Sequence, residues 1–218
     1  MSIYRKLLCA AVAASWVFTV QAGREILPQP LQFNQTYELY EQAKSAAELN
    51  MAAPEKALVK FSRNGNTLYV NAVMSDLDCY NNSTKNHQVL HSKGDALRLY
   101  LQPENDTRLY EIQISCNNLL SVFFHWSAGR IFLRDSSQNA FPGVKAQAKK
   151  TSDGWECNIA VPLDQAAKAL ELPPENTRWK LMLIRYNYGK NHPRRDVSGY
   201  PQPTSIPDAE RFAILPQK

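Results

Sequence analysis

Residues 57–62 and 67–75 alternate apolar with polar side chains, and Asn64-Gly65-Asn66 lies between them. Asn-Gly between two alternating runs predicts a hairpin, because the tight turn that suits strand twist needs positive φ at its central residues. The two-residue period returns at 96–102, 108–115, 120–126, 144–149, 154–161, 179–187 and 211–215, in runs rich in β-branched and aromatic residues. Turn-forming stretches separate them, at 103–106, Asn117-Asn118 and Asp153-Gly154. Many short strands at intervals of about ten residues predict an all-β chain, folded as an antiparallel β-sandwich of the jelly-roll kind. Two segments break the period. Over 36–49, Tyr37, Leu39, Tyr40, Ala43, Ala46, Ala47 and Leu49 are spaced by threes and fours. That spacing predicts an N-terminal amphipathic helix, started by Asn34 or Thr36 and ended before Pro54. A second, short helix is expected at 164–170, after Pro162.

The chain opens with Arg5 and Lys6, an uncharged stretch from Leu7 to Val20, and the pattern Val20-Gln21-Ala22. Basic, then apolar, then small-x-small is the order of a secretory signal peptide, so residues 1–22 are expected to be a cleaved leader. The apolar stretch is short of the roughly 20 residues that cross a bilayer. No membrane span is therefore expected after cleavage, and the mature chain is expected in the periplasm or outside the cell. Residues 23–56 read as an arm and helix, and 57–218 as one sandwich domain. Losing Arg5 and Lys6 lowers the net charge from +5 to +3, which gives no electrostatic case for nucleic acid. From 189 to 208 the sequence has no periodicity and holds Pro193, Pro201, Pro203 and Pro207. A loop that long in a compact domain is commonly functional, which makes it a first place to look for a binding site.

Catalytic signatures are sparse. There is no Gly-x-Ser-x-Gly elbow and no phosphate-cradling glycine loop, and the eight glycines are scattered. Asp95 and Glu111 are the carboxylates that a glycoside hydrolase reading would use. His87 and His91, four apart, would share a helix face, but their surroundings read as loop. His125 sits among Phe123, Phe124 and Trp126 and reads as a strand position. Three cysteines remain after the leader, too widely spaced for a zinc site. Cys79 and Cys116 each follow a predicted strand and are the expected disulfide pair in an oxidising compartment, with three buried free thiols as the alternative. Asp76 and Asp78 leave a strand end on the same side, a pattern that suits structural calcium.

Flat rings beside planar hydrogen-bonding groups are what sugar rings and their hydroxyls require. Trp126, Trp155, Trp179, Tyr186, Tyr188 and Tyr200 supply such rings, with Trp155 and Trp179 better placed for a core. Four stretches, in this order and spacing, carry a resemblance: 66–78, ending in Ser75-Asp-Leu-Asp; 94–103, opening on Gly94-Asp95; 153–163, containing Asp153-Gly-Trp-Glu; and 179–188 with 211–215. They resemble the family 9 carbohydrate-binding modules and the wider DOMON-like sandwich group, over roughly residues 57–215. The resemblance implies a non-catalytic domain that binds polysaccharide or oligosaccharide, acts beside a glycoside hydrolase in carbohydrate breakdown, and sometimes carries calcium. If sugar binds, Tyr200 is expected to supply the stacking face while Arg185, Arg98 and Gln113 donate hydrogen bonds from adjacent strands. Arg98 stands where the family strand usually shows Glu, and neither loop tryptophan of the family is present. Loss of those rings opens an alternative, a cell-envelope interaction domain on the same sandwich. A DOMON-type haem domain would need Met74 or Met182 with a histidine as axial ligands.

Overall fold

The structure is a computed structural model. It describes residues 30–48, 50–51, 53–128, 131–135, 143–189, 195–207 and 209–217. The expected leader and most of the following arm lie outside the described residues.

In chain order the elements are β1 (Thr36–Glu38), β2 (Tyr40–Glu41), β3 (Ala57–Asn64), β4 (Thr67–Ser75), β5 (Ala96–Pro103), β6 (Leu109–Ser115), β7 (Leu120–Ala128), β8 (Ile131–Asp135), β9 (Lys145–Lys150), β10 (Gly154–Pro162), α1 (Leu163–Ala169), β11 (Trp179–Tyr188), β12 (Arg195–Tyr200) and β13 (Ala213–Ile214). They form two antiparallel sheets. The smaller runs β1-β3-β4-β10-β9, and the larger β2-β12-β11-β5-β6-β7-β8, with β13 added beside β11. This is the expected all-β sandwich.

The hairpin forms where Asn-Gly predicts it. Asn64 pairs with Thr67, leaving Gly65-Asn66 as the loop, with Gly65 at φ +57°. Alternation then decides which side chains face inward. Val59, Phe61, Leu68, Val70, Met74, Trp155 and Ile159 of the smaller sheet meet Leu97, Leu99, Ile112, Ile114, Leu181 and Leu183 of the larger, all of them buried. Burying such side chains contributes about 1.5–3 kcal/mol each, which is the main stabilising term.

Over 36–48, the described part of the helix expected at 36–49, that helix does not form. Its first half is β1, paired with β3, and β2, paired with β12, so the segment passes from one sheet edge to the other. Among 46–48 only a single 3₁₀ turn is found. The apolar spacing is satisfied otherwise: Leu39 and Ala43 are buried, and the Tyr37 ring packs on Phe61 and Tyr200. An exposed edge leaves a row of unpaired backbone groups, and covering two such edges outweighs a local helix preference. The helix expected after Pro162 is α1, which closes one end of the core with Leu163, Ala166 and Ala167.

Among the described residues much of the larger sheet's outer face is buried as well, and every residue of β6 is buried. Over one end of that face, Phe212 and Ile206 pack on Tyr100, Met182, Ile184 and Val197 as a second small core. Part of the stretch expected as one long loop is therefore strand β12, and part is a cover for the sheet.

Candidate functional site

Strand alternation places a second set of side chains on the outer face of the larger sheet. Arg98 pairs across strands with Gln113, and Gln113 with Ser121; Tyr100 pairs with Glu111, and Tyr186 with Ala96. Among β6 residues, Tyr110, Ile112 and Ile114 belong to the core, so Glu111 and Gln113 project the other way.

There they build a closed polar network. Glu111 accepts from Arg98 Nε at 2.8 Å and from Gln113 Nε2, and its second oxygen meets His125 Nε2 at 2.5 Å. Arg98 also donates to the Tyr186 hydroxyl at 2.8 Å. Gln113 Oε1 accepts the His91 amide at 3.2 Å, and the Tyr188 hydroxyl donates to the His91 carbonyl at 2.8 Å. Glu111 is fully buried, whereas the Arg98 side chain retains 12% of its exposure. A buried carboxylate is tolerated here because three donor groups surround it. Burial opposes the Arg98 charge, but Tyr100, Glu111 and Tyr186 together outweigh it and hold its pKa above the ordinary value.

Rings surround the guanidinium. Arg98 lies 4.7 Å from the Tyr100 centroid and 5.8 Å from that of Tyr186. Arg195 lies 5.0 Å over Tyr186, and the His91 ring is 4.7 Å from it. A fixed, planar donor suits a polyol, whose hydroxyl oxygens accept from the guanidinium. The Tyr100 and Tyr186 rings beside it are buried and hold it in place, while His91 and Tyr188 are half-buried at the margin.

The four residues expected to share one sugar fall into two groups. Arg98 and Gln113 meet through Glu111. Arg185 and Tyr200 instead point into the sandwich. The Tyr200 ring lies 4.2 Å from Tyr37 and 6.1 Å from Phe61, packed against the main core, and burial together with Tyr37 pushes its hydroxyl pKa up. Arg185 is 1% exposed and donates to the Glu55 and Ser75 carbonyls and to Asn187 Oδ1, each at 2.8 Å. It is a structural anchor between the sheets.

The acidic pair is divided in the same way. Asp76 is buried with Arg185 at 3.6 Å, while Asp78 is half-buried. Burial, helped by Asp95, pushes the Asp76 pKa up to about 7. Arg185 holds the position beside Asp76 that a calcium ion would need, and among the described residues no three acidic, His or Cys side chains converge for a metal. The donor set does not fit calcium.

Asp95 and Glu111, the carboxylates of the hydrolase reading, are both committed to structure. Asp95 accepts the Tyr80 amide at 2.5 Å and the Tyr188 amide at 2.6 Å, and burial still pushes its pKa up to about 6. Gly94 precedes it at φ +139°, and a Cβ there would strike the Tyr80 carbonyl. Met74 and Met182, the axial ligands of the haem reading, lie in the main core and the second small core. Cys79, Cys116 and Cys157 are buried thiols in this structure, and the first two are in side-chain contact.

Sequence reading missed Glu111 as the centre of a network, together with His91 and Arg195 as its border. The available signal was parity: 111 and 113 are polar positions inside a strand whose even positions are all apolar.

No protein-family model matches this chain, and no curated protein does. Solved structures do. A provisionally assigned carbohydrate-binding protein of Bacteroides uniformis superposes with a TM-score of 0.60 at 11% identity, over 83% of this chain and 85% of that one. A family 9 carbohydrate-binding module of Caldicellulosiruptor kristjanssonii, in complex with cellotriose, gives 0.53 at 12% identity over 88% and 89%. Its glucose complex gives 0.53 at 12% over 90% and 92%. The chain shares their fold.

Proposed function

We propose that this protein is an exported, non-catalytic carbohydrate-binding domain acting beside glycoside hydrolases, and that it holds sugar on the outer face of its larger sheet. The observation that carries the reading is Arg98, whose side chain keeps 12% of its exposure, is fixed by Glu111 and Tyr186, and lies beside the Tyr186 ring that His91 packs on. Fixing the donor before the ligand arrives lowers the ordering cost of binding. Gln113 positions the network from below, and Tyr188 and Arg195 form its rim. The fold shared with modules in complex with cellotriose and with glucose supports a glucan or related neutral polysaccharide as ligand. The basic-apolar-small leader pattern supports export. Both carboxylates of the hydrolase reading are held in internal hydrogen bonds, which supports a binding role over a catalytic one.

The test is affinity electrophoresis through gels containing soluble polysaccharides, with the wild-type chain and Arg98→Ala side by side. Retardation by at least one glucan is expected, weakened about 10-fold or more in Arg98→Ala, the scale of a lost charge-assisted hydrogen bond. A folded wild-type protein that no polysaccharide retards would overturn the reading and favour an envelope interaction domain.

A further inference from the structure

Asp95 ties together two segments that belong to different sheets. Its amide donates to the Tyr80 carbonyl at 2.7 Å, its carboxylate accepts the Tyr80 amide, and its carbonyl accepts the Cys116 amide at 3.3 Å. Asn81 donates to the same Asp95 carbonyl at 3.1 Å and to the Leu90 carbonyl at 3.0 Å. From the other side, Asn117 donates to the carbonyls of Asn81 and Ser83 at 3.1 and 3.0 Å. These bonds hold the residue after Ser115, at the end of β6, against the stretch that follows β4. The thiols of Cys79 and Cys116 touch at that junction. Cys157 lies apart, 1% exposed on β10 within the core.

We infer that Cys79 and Cys116 close into a disulfide when the protein meets an oxidising thiol–disulfide pool, stapling the loop after β4 to the end of β6. Cys79, at 8% exposure against 2% for Cys116, is the entry point. Its thiolate attacks an external disulfide such as glutathione disulfide, releasing one thiol and forming a mixed disulfide. Cys116 then attacks the Cys79 sulfur and releases the second thiol. Two protein thiols lose two electrons and two protons, and the external disulfide gains them as two thiols. Lys150, whose ammonium donates to the Cys79 carbonyl at 2.7 Å, favours the Cys79 thiolate against the burial that raises its pKa.

The bond would also fix the candidate site. The stretch between Cys79 and Asp95 carries His91, which borders Tyr186 and whose amide bonds Gln113. Stapling one end of that stretch to β6 limits its opening.

The full chain is incubated with glutathione disulfide, denatured, alkylated with iodoacetamide and digested without reductant. Peptides containing Cys79 and Cys116 are expected as one linked species, with Cys157 alkylated. Thermal unfolding should drop by about 10 °C when reductant is added to the oxidised protein, the scale for a loop of this length. Cys116→Ser should abolish both the link and the reductant sensitivity, and Cys157→Ser should leave the link intact. Alkylated Cys79 and Cys116, glutathione retained on Cys79 alone, or a link to Cys157 would each overturn the inference. Peptide mapping of the wild type decides it even if a variant fails to fold.

Discussion

Arg98 and Tyr200 point to opposite faces of the same sheet. On β11, Ile184 pairs with Arg98 and the adjacent Leu183 pairs with Tyr200. Neighbouring residues on a strand face opposite ways, so one step of register separates a residue on the outer face from one against the core. No single sugar ring can lie against both.

Tyr200 therefore serves stability. Its ring closes the edge of the core against Tyr37 and Phe61. Tyr200→Ala should cost about 2 kcal/mol, less than a fully buried ring because Tyr200 is only half-buried. Melting would fall by on the order of 5 °C, with polysaccharide retardation unchanged. Scanning calorimetry and affinity gels on one preparation check this. Weakened binding at unchanged melting temperature would return Tyr200 to the sugar site.

Glu111 holds the network together, and removing its charge leaves Arg98 without its partner. Glu111→Ala should cost about 3–5 kcal/mol, the range for breaking one side of a buried pair. Arg98→Met combined with Glu111→Leu should cost clearly less than the sum of the single changes, because neither charge is then stranded. Denaturant unfolding of the double-mutant cycle gives the comparison. Additive losses would mean that the two side chains act independently.

Asp76 gives a pH dependence of known sign. Its pKa is raised from 3.8 to about 7, so between those values the folded protein carries a proton that the unfolded chain has lost. Stability from this group is greatest in acid and declines as pH rises toward 7, after which it stays level. Asp76→Asn removes the proton exchange. The melting temperature of Asp76→Asn minus that of the wild type should thus increase from pH 5 to pH 7.5. A difference that is flat over this range contradicts the raised pKa.

Much of the fold is legible in the sequence because strand alternation is a local signal. The predicted runs 67–75 and 154–161 match β4 and β10 to within one residue. The segment 36–49 was not legible, because its conformation depends on two distant strands, β3 and β12, whose edges it covers. β12 was hidden for a related reason: Arg195–Tyr200 has turn residues such as Ser198 and Gly199, and is a strand through its pairing with β11. The site was legible only in part. Arg98 and Gln113 could be named from their strands, but choosing them over Tyr200 and Arg185 requires knowing which parity faces the core. That is fixed by the packing of both sheets. Arg185 was expected at the sugar because the last strands and their arginine resemble the family, and its side chain bonds carbonyls of Glu55 and Ser75 across the sandwich.

The most direct measurement is a set of NMR spectra of the ¹⁵N-labelled protein, recorded across a titration with a soluble cello-oligosaccharide. The Arg98 Nε–Hε signal and the amides of His91, Tyr186 and Tyr188 are expected to shift together and saturate, while those of Tyr37, Phe61 and Tyr200 stay in place. Shifts centred on Tyr200 and Tyr37, with Arg98 unmoved, would contradict a site at Arg98 and move the sugar to the edge of the sandwich.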